Sequence, residues 1–306
     1  MKEKTSFDTL SINGIDDPAM RRLADCEFEL IQIINGGKVW QDLNFLIPFK
    51  DKIKKLRVTG IVNGFLGLDM LNALTELDLD DYFPLPVVDF STLSQLEICK
   101  MGWSSKMQGK NFFSIPRLEK ISLARFKAEN SEEIGLAKKL KCLELRHGTL
   151  GSLRGLEGCC MLEELRLIKV SGLTSLDGLD ACKALKIIEI EASGRIENIT
   201  ACLERFSNLT CVLLEGDFAL NSLAWVANNP GLTSLRADVV IPNIDWRTLF
   251  SAPKLEDLAL KYKPGSLCTN EEIKNIATSC GKHIQWIELG GTRRAPWIEI
   301  HFKKNL

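Results

Sequence analysis

One short pattern recurs along almost the whole chain: apolar, two variable residues, apolar, one variable, apolar. The clearest copies are LTELDL from Leu74, LKCLEL from Leu140 and LEELRL from Leu162. LSQLEI from Leu93, LEKISL from Leu118, LKIIEI from Leu185, LTCVLL from Leu209, LTSLRA from Leu232 and LEDLAL from Leu255 repeat it. IKKLRV from Ile53 and IQWIEL from Ile284 are weaker copies at the ends. The intervals are 21, 19, 25, 22, 22, 23, 24, 23, 23 and 29 residues. Self-similarity at a period of 20–29 residues marks a repeat array, in which each unit is one supersecondary piece stacked on its neighbours. The last two apolar positions of each copy are two apart, as in Leu165 and Leu167. That places both on one face of a strand, with Arg166 on the other. A lone four-residue strand has no stability of its own, so the strands must stack in parallel and share one ladder and one core.

The return half of each unit has its own anchors. Leu150, Leu153, Leu156, Cys159 and Leu162 recur every three or so residues, as do Leu173, Leu176, Leu179, Cys182 and Leu185. A period of three suits short 3₁₀ turns with one edge against the core. Cys159 and Cys182 then read as small buried hydrophobes. Helices are expected where the return lengthens: Ser131 to Lys139, Asn221 to Asn229 before Pro230, and a helix capped by Thr269 with Glu272 completing a capping box. Asp16, Asp17 and Pro18 predict another helix through about Cys26. FDTLSI from Phe7 and FELIQI from Phe28 keep the apolar spacing, so repeats begin near residue 7. WIEIHF from Trp297 comes too soon for a further repeat and predicts a terminal hairpin over the open edge.

Charge and motif content narrow the function. With 39 basic and 40 acidic residues the net charge is -1, and no basic stripe suits nucleic acid. The N-terminal lysines precede no apolar signal segment, and no apolar run is long enough to span a membrane. The ten cysteines form no CxxC pair and the three histidines are scattered, so neither a zinc site nor another metal or cofactor is expected. A reducing, cytoplasmic setting with free thiols follows from this reading. No nucleophile elbow, P-loop or dinucleotide fingerprint is present, and no catalytic residue is assigned.

The repeats resemble those of the leucine-rich-repeat family, closest to its SDS22-like and internalin-like units of about 22 residues. The stretch from Leu140 to Ile190 carries the resemblance best, and it extends over roughly residues 28 to 302. It implies an α/β solenoid: a curved right-handed horseshoe with a parallel sheet on the concave side and 3₁₀ turns, short helices and loops on the convex side. It implies one domain, with 1–52 as cap and weak repeats, 53–289 as core repeats and 290–306 as C-terminal cap. The family's asparagine three residues past the last strand leucine is missing throughout; Gly148, Val170, Ser193, Asp217 and Val240 stand at such positions. The turns must therefore satisfy their backbone groups by other means.

The family's role is that of a binding scaffold, so the outward strand positions are the candidate site. Alternation assigns to it Glu144, Arg146, Glu164, Arg166, Ile168, Glu189, Glu191, Leu213, Glu215, Arg236 and Asp238. Apolar residues ringed by charges of both signs suit a protein contact. Arg57, Asp78, Glu97, Ser122, Ala259 and Glu288 take the same central position elsewhere. Cys99 and Trp286 are expected to project outward beside them. Glu76, Asp78, Asp80, Asp81 and Glu97 form a separate acidic patch. Trp103 is expected to fold back over the core. With Arg166 outward, Arg166→Ala is expected to change stability by under ~0.5 kcal/mol. The leading expectation is a monomeric, non-enzymatic protein-binding scaffold. Inhibition of a toxin in the manner of an immunity protein is an alternative, as is an enzyme with a site that carries no motif.

Overall fold

The computed structural model describes residues 6–14, 17–34, 41–59, 64–79, 88–103, 111–261, 269–292 and 295–303. The chain divides into two compact units, residues 1–127 with 133–140, and residues 128–132 with 141–306.

Among its described residues the first unit contributes six strands to the main sheet: β1 (Ser6–Ile12), β2 (Glu27–Ile33), β3 (Lys55–Val58), β4 (Glu76–Leu79), β5 (Ile98–Gly102) and β6 (Lys120–Ala124). Each pairs in parallel with the next in sequence. The weak motifs at Phe7 and Phe28 are true repeats, with Leu10 beside Ile31 and Ile12 beside Ile33. Helix α1 (Asp17–Asp25) lies between them. Its last carbonyls lack helical partners. Lys52 Nζ serves two of them, donating to Leu23 and Ala24 at 3.0 and 3.2 Å, and also reaches Cys26 just past the helix at 3.0 Å. Trp103 packs back as expected, its ring 5.3–5.7 Å from those of Phe112, Phe113 and Phe126.

The register of β5 corrects the sequence reading. Leu77 lies beside Cys99 and Asp78 beside Lys100. The strand motif there is therefore LEICKM from Leu96. Cys99 and Met101 are buried, and Lys100 takes the central outward place that Glu97 was expected to fill. Starting this unit at Leu96 turns the irregular intervals of 19 and 25 into 22 and 22.

The second unit carries β7 (Cys142–Arg146), β8 (Glu164–Ile168), β9 (Ile187–Glu191), β10 (Cys211–Ala219), β11 (Ser234–Val240) and β12 (Asp257–Lys261), again parallel in sequence order. The order then breaks. β13 (Ile284–Thr292) and β14 (Ala295–Phe302) form an antiparallel hairpin, and it is β14 that lies on β12. IQWIEL is thus the outer strand of that hairpin, separated from β12 by β14, and not an eleventh repeat. A parallel return needs a crossover of a dozen residues or more, and the two residues between β13 and β14 permit only a hairpin.

The return segments are tighter than expected. Of Asn221 to Asn229 only Ala224–Val226 is helical, as a 3₁₀ turn, and of Ser131 to Lys139 only Ile134–Leu136. Short helices occur at α2 (Ile199–Leu203) and α3 (Trp246–Ser251), while α4 (Asn270–Ser279) has the expected Thr269–Glu272 capping box. Cys159 and Cys182 are fully buried, and burial pushes the Cys182 thiol up to about 12.

Left-handed residues replace the asparagine ladder. His147, Lys169 and Ala192, each following a strand, have φ of 52°, 54° and 46°. This turns each amide onto the next unit: their N–H groups donate to Ile168, Glu191 and Glu215 carbonyls at 2.8–2.9 Å. Ser193 adds a hydroxyl that accepts from Val170 N–H and donates toward the Leu167 and Glu191 carbonyls. On the return side the buried Asn229 accepts from Leu209 N–H and donates to the Phe206 and Trp225 carbonyls. The orphan backbone groups of a buried turn are thereby satisfied.

Candidate functional site

The register of the second unit fixes three rows on its outward face, because in-phase parallel strands align every second side chain. The first row begins Cys142, Glu164, Ile187, Cys211. The middle row runs Glu144, Arg166, Glu189, Leu213, Arg236, Ala259 and, from the antiparallel β14, Glu299. The third runs Arg146, Ile168, Glu191, Glu215, Asp238. All eleven candidate residues stand on this face at the positions that alternation assigned.

Ion pairing knits the middle of the grid. Arg146 Nε lies 2.8 Å from Glu144. Arg166 reaches Glu189 on one side at 3.0 Å and Glu164 on its own strand at 3.4 Å. Burial opposes the Arg166 charge, but Glu189 and Glu164 outweigh it and hold the guanidinium above its usual range. Removing this side chain leaves two carboxylates without their shared cation. Arg166→Ala is therefore expected to lower stability by about 1 kcal/mol, more than an isolated outward residue would.

Glu189 is the most enclosed of these acids, with 17% of its side chain exposed. Burial raises its pKa, Arg166 opposes the rise, and Glu191 and Glu144 add to it. An acid raised in the folded state favours folding while protonated, and that contribution is lost as pH rises through the folded value. Glu189→Gln is accordingly expected to raise the unfolding midpoint at pH 7. The gain should vanish at a pH below the ordinary glutamate range. Thermal melts of both proteins at the two pH values check this, and a gain that persisted in acid would contradict it.

Toward its C-terminal side the face sinks into a hollow of about 600 Å³. Leu213, Ala259 and Trp297, the last in register with Lys261, are among the residues that line it. Trp297 and Glu299 were not assigned to the face from sequence. The signal was present, since Trp297, Glu299 and His301 alternate with the buried Ile298, Ile300 and Phe302. What was lacking was the knowledge that β14, rather than β13, joins β12. Beyond the hollow His301 bridges Asp257 at 2.5 Å and Glu299 at 3.3 Å, and the outward Trp286 packs on its ring at 5.1 Å.

The acidic patch of the first unit is largely neutralised where it is described. Asp78 lies 2.9 Å from Arg57 and 3.9 Å from Lys100, and Glu97 pairs with Arg117. Asp80 and Asp81 lie outside the described residues. Among the described residues no cluster of three or more His, Cys, Asp or Glu side chains could hold a metal ion, and no helix is long and apolar enough to cross a membrane.

No family model matches the chain, and no curated protein sequence matches it. Solved structures do. The internalin InlF of Listeria monocytogenes is 15% identical with a TM-score of 0.52, over 79% of this chain and 76% of its own. A leucine-rich-repeat protein of Leptospira interrogans is 13% identical with a TM-score of 0.51, over 81% and 75%. The plant peptide hormone receptor RGFR1, solved in complex with RGF2, is 18% identical with a TM-score of 0.52, over 85% of this chain but 47% of its own. At these identities the likeness is one of fold: the chain is a leucine-rich-repeat solenoid.

Proposed function

We propose that this leucine-rich-repeat solenoid is a non-enzymatic scaffold that binds another protein through the outward face of its second unit. One observation carries the reading: Ile168 and Leu213 stand half-buried among Glu144, Arg166, Glu189, Glu191 and Arg236 on strands held in fixed register. Apolar contacts ringed by charges of both signs suit a specific, complementary protein surface. A face ordered before binding loses little entropy when it engages. RGFR1 with its RGF2 partner is an instance of a similar fold solved in a complex. The reading takes the chain as a monomer in the cytoplasm. Buried thiols such as Cys159, Cys182 and Cys202 suit a reducing compartment, with burial pushing Cys202 up to about 12.

The test is Ile168→Asp. Ile168 lies on the grid but outside the hollow, so the fold should hold. Against a partner isolated by cross-linking, identified and then purified, calorimetry should show affinity reduced at least tenfold, about 1.4 kcal/mol. Unchanged affinity in a folded variant would remove this part of the face from the interface.

A further inference from the structure

The hollow calls for an occupant of particular chemistry. Four carboxylates line it, Glu191, Glu215, Asp238 and Glu299, with two cations, Arg236 and Lys261. Both cations are engaged: Arg236 lies 3.4 Å from Glu299 and Lys261 2.9 Å from Asp238. Glu191 and Glu215 lie side by side in register on adjacent strands, with Asp238 next in the row. Neither Glu191 nor Glu215 has an ion-pair partner among the described residues. Like charges on paired strands repel. Where a fold keeps such a local conflict, a functional use is the expected reason.

The shape narrows the chemistry further. Leu213 and Ala259 add apolar surface among the charges, and Trp297 lines the hollow from β14, at the end opposite the Glu191 strand. A small cation would leave that surface and the indole unused. An acidic segment would add to the repulsion, and a wholly apolar one would strip water from carboxylates without pairing them. A long basic side chain on an extended segment fits both parts. Its methylenes lie on apolar surface such as Leu213 while its guanidinium bonds carboxylates in pairs, and the segment that presents it can run on to the indole.

We propose that the hollow receives an arginine side chain presented by a loop or extended segment of the partner protein, with the guanidinium between Glu191 and Glu215, the stem over Leu213, and the presenting segment running on across the hollow to Trp297. The inference rests on the reading that this face binds a protein, and it names the partner's contribution at one end of that face. The sequence alone did not point to it, because three of the lining residues, Trp297, Ile298 and Glu299, belong to a strand whose place was not foreseen.

The experiment uses the full chain labelled with ¹⁵N, with the Trp297 indole resonance assigned from its loss in Trp297→Phe. The probes are acetyl-Gly-Arg-Gly-Arg-Gly-amide and its lysine and glutamate counterparts. The arginine peptide should shift the Trp297 resonance saturably, the lysine peptide more weakly, and the glutamate peptide not at all. Glu191→Gln with Glu215→Gln should weaken the arginine peptide at least tenfold. The Trp225 indole, buried away from the face, should keep its resonance and so report an intact fold. No saturable shift with any peptide, or equal affinity in the double variant, overturns the proposal. Against the purified partner the two readings separate. If Ile168→Asp weakens binding and the double variant does not, the face stands and the hollow falls. If the double variant weakens binding and Ile168→Asp does not, the hollow stands and the wider grid falls.

Discussion

Leu165→Ala is expected to lower the stability of the second unit by about 2–5 kcal/mol, the range for a buried leucine whose site cannot fully collapse. Leu165 is fully buried and sits in register between Leu143 and Ile188. The ladders on both sides pin the neighbouring strands, so they cannot close on the space left behind. In a repeat array each unit is stabilised by its contacts with the next, and this residue belongs to two such contacts. The denaturant midpoint is the measurement to use, because repeat arrays need not unfold in two states. Arg166→Ala, one position along, should move the midpoint far less. Equal shifts would mean that the strand faces the other way.

Gly178→Ala is expected to be as damaging by a different route, with a loss of about 3 kcal/mol from backbone strain and steric overlap together. Gly178 has φ of +109°, which L residues rarely adopt, and an added Cβ would lie 2.2 Å from the Leu153 carbonyl oxygen. Gly155, 23 residues earlier, stands in the same way against the backbone of Glu132. These glycines let one return segment lie directly on the next. Gly231→Ala is the control: its Cβ would meet nothing nearer than 3.7 Å, and its φ lies outside the left-handed range. Its midpoint should stay close to that of the parent. A control as unstable as Gly178→Ala would show that the loss has another origin.

The legibility of the chain follows from what each pattern encodes. Period two over Leu143–Leu145, Leu165–Leu167 and Ile188–Ile190 was enough to place the outward residues, because in-register parallel strands leave no other freedom. The same pattern misled at β5. Leu93, Leu96 and Ile98 satisfy the apolar spacing, but so do Leu96, Cys99 and Met101. The ambiguity is physical. The period-three return runs straight into the period-two strand, so an apolar residue usually precedes the true motif by three, as Leu93 precedes Leu96, and only the distance to neighbouring units decides between them. Strand order is also absent from an apolar pattern: IQWIEL runs the same way as the repeats but stands one place further out, with the reversed WIEIHF between it and β12. The hollow escaped notice for that reason, since Trp297 and Glu299 reach the face only because β14 runs backward along β12.

That reversal governs how such an array can evolve. A parallel strand leaves an edge on which another repeat can be laid, whereas a hairpin closes the series. At that end new units can then enter only internally. Between β9 and β14 stand three strands, β10, β11 and β12, so the span from Glu191 to Trp297 is counted out in strand spacings of about 4.8 Å. A duplication or deletion anywhere in that stretch would lengthen or shorten the span by a whole step. One before β9 would leave it intact. Among descendants of this chain, repeat number should drift freely on one side of Glu191 and be held constant on the other.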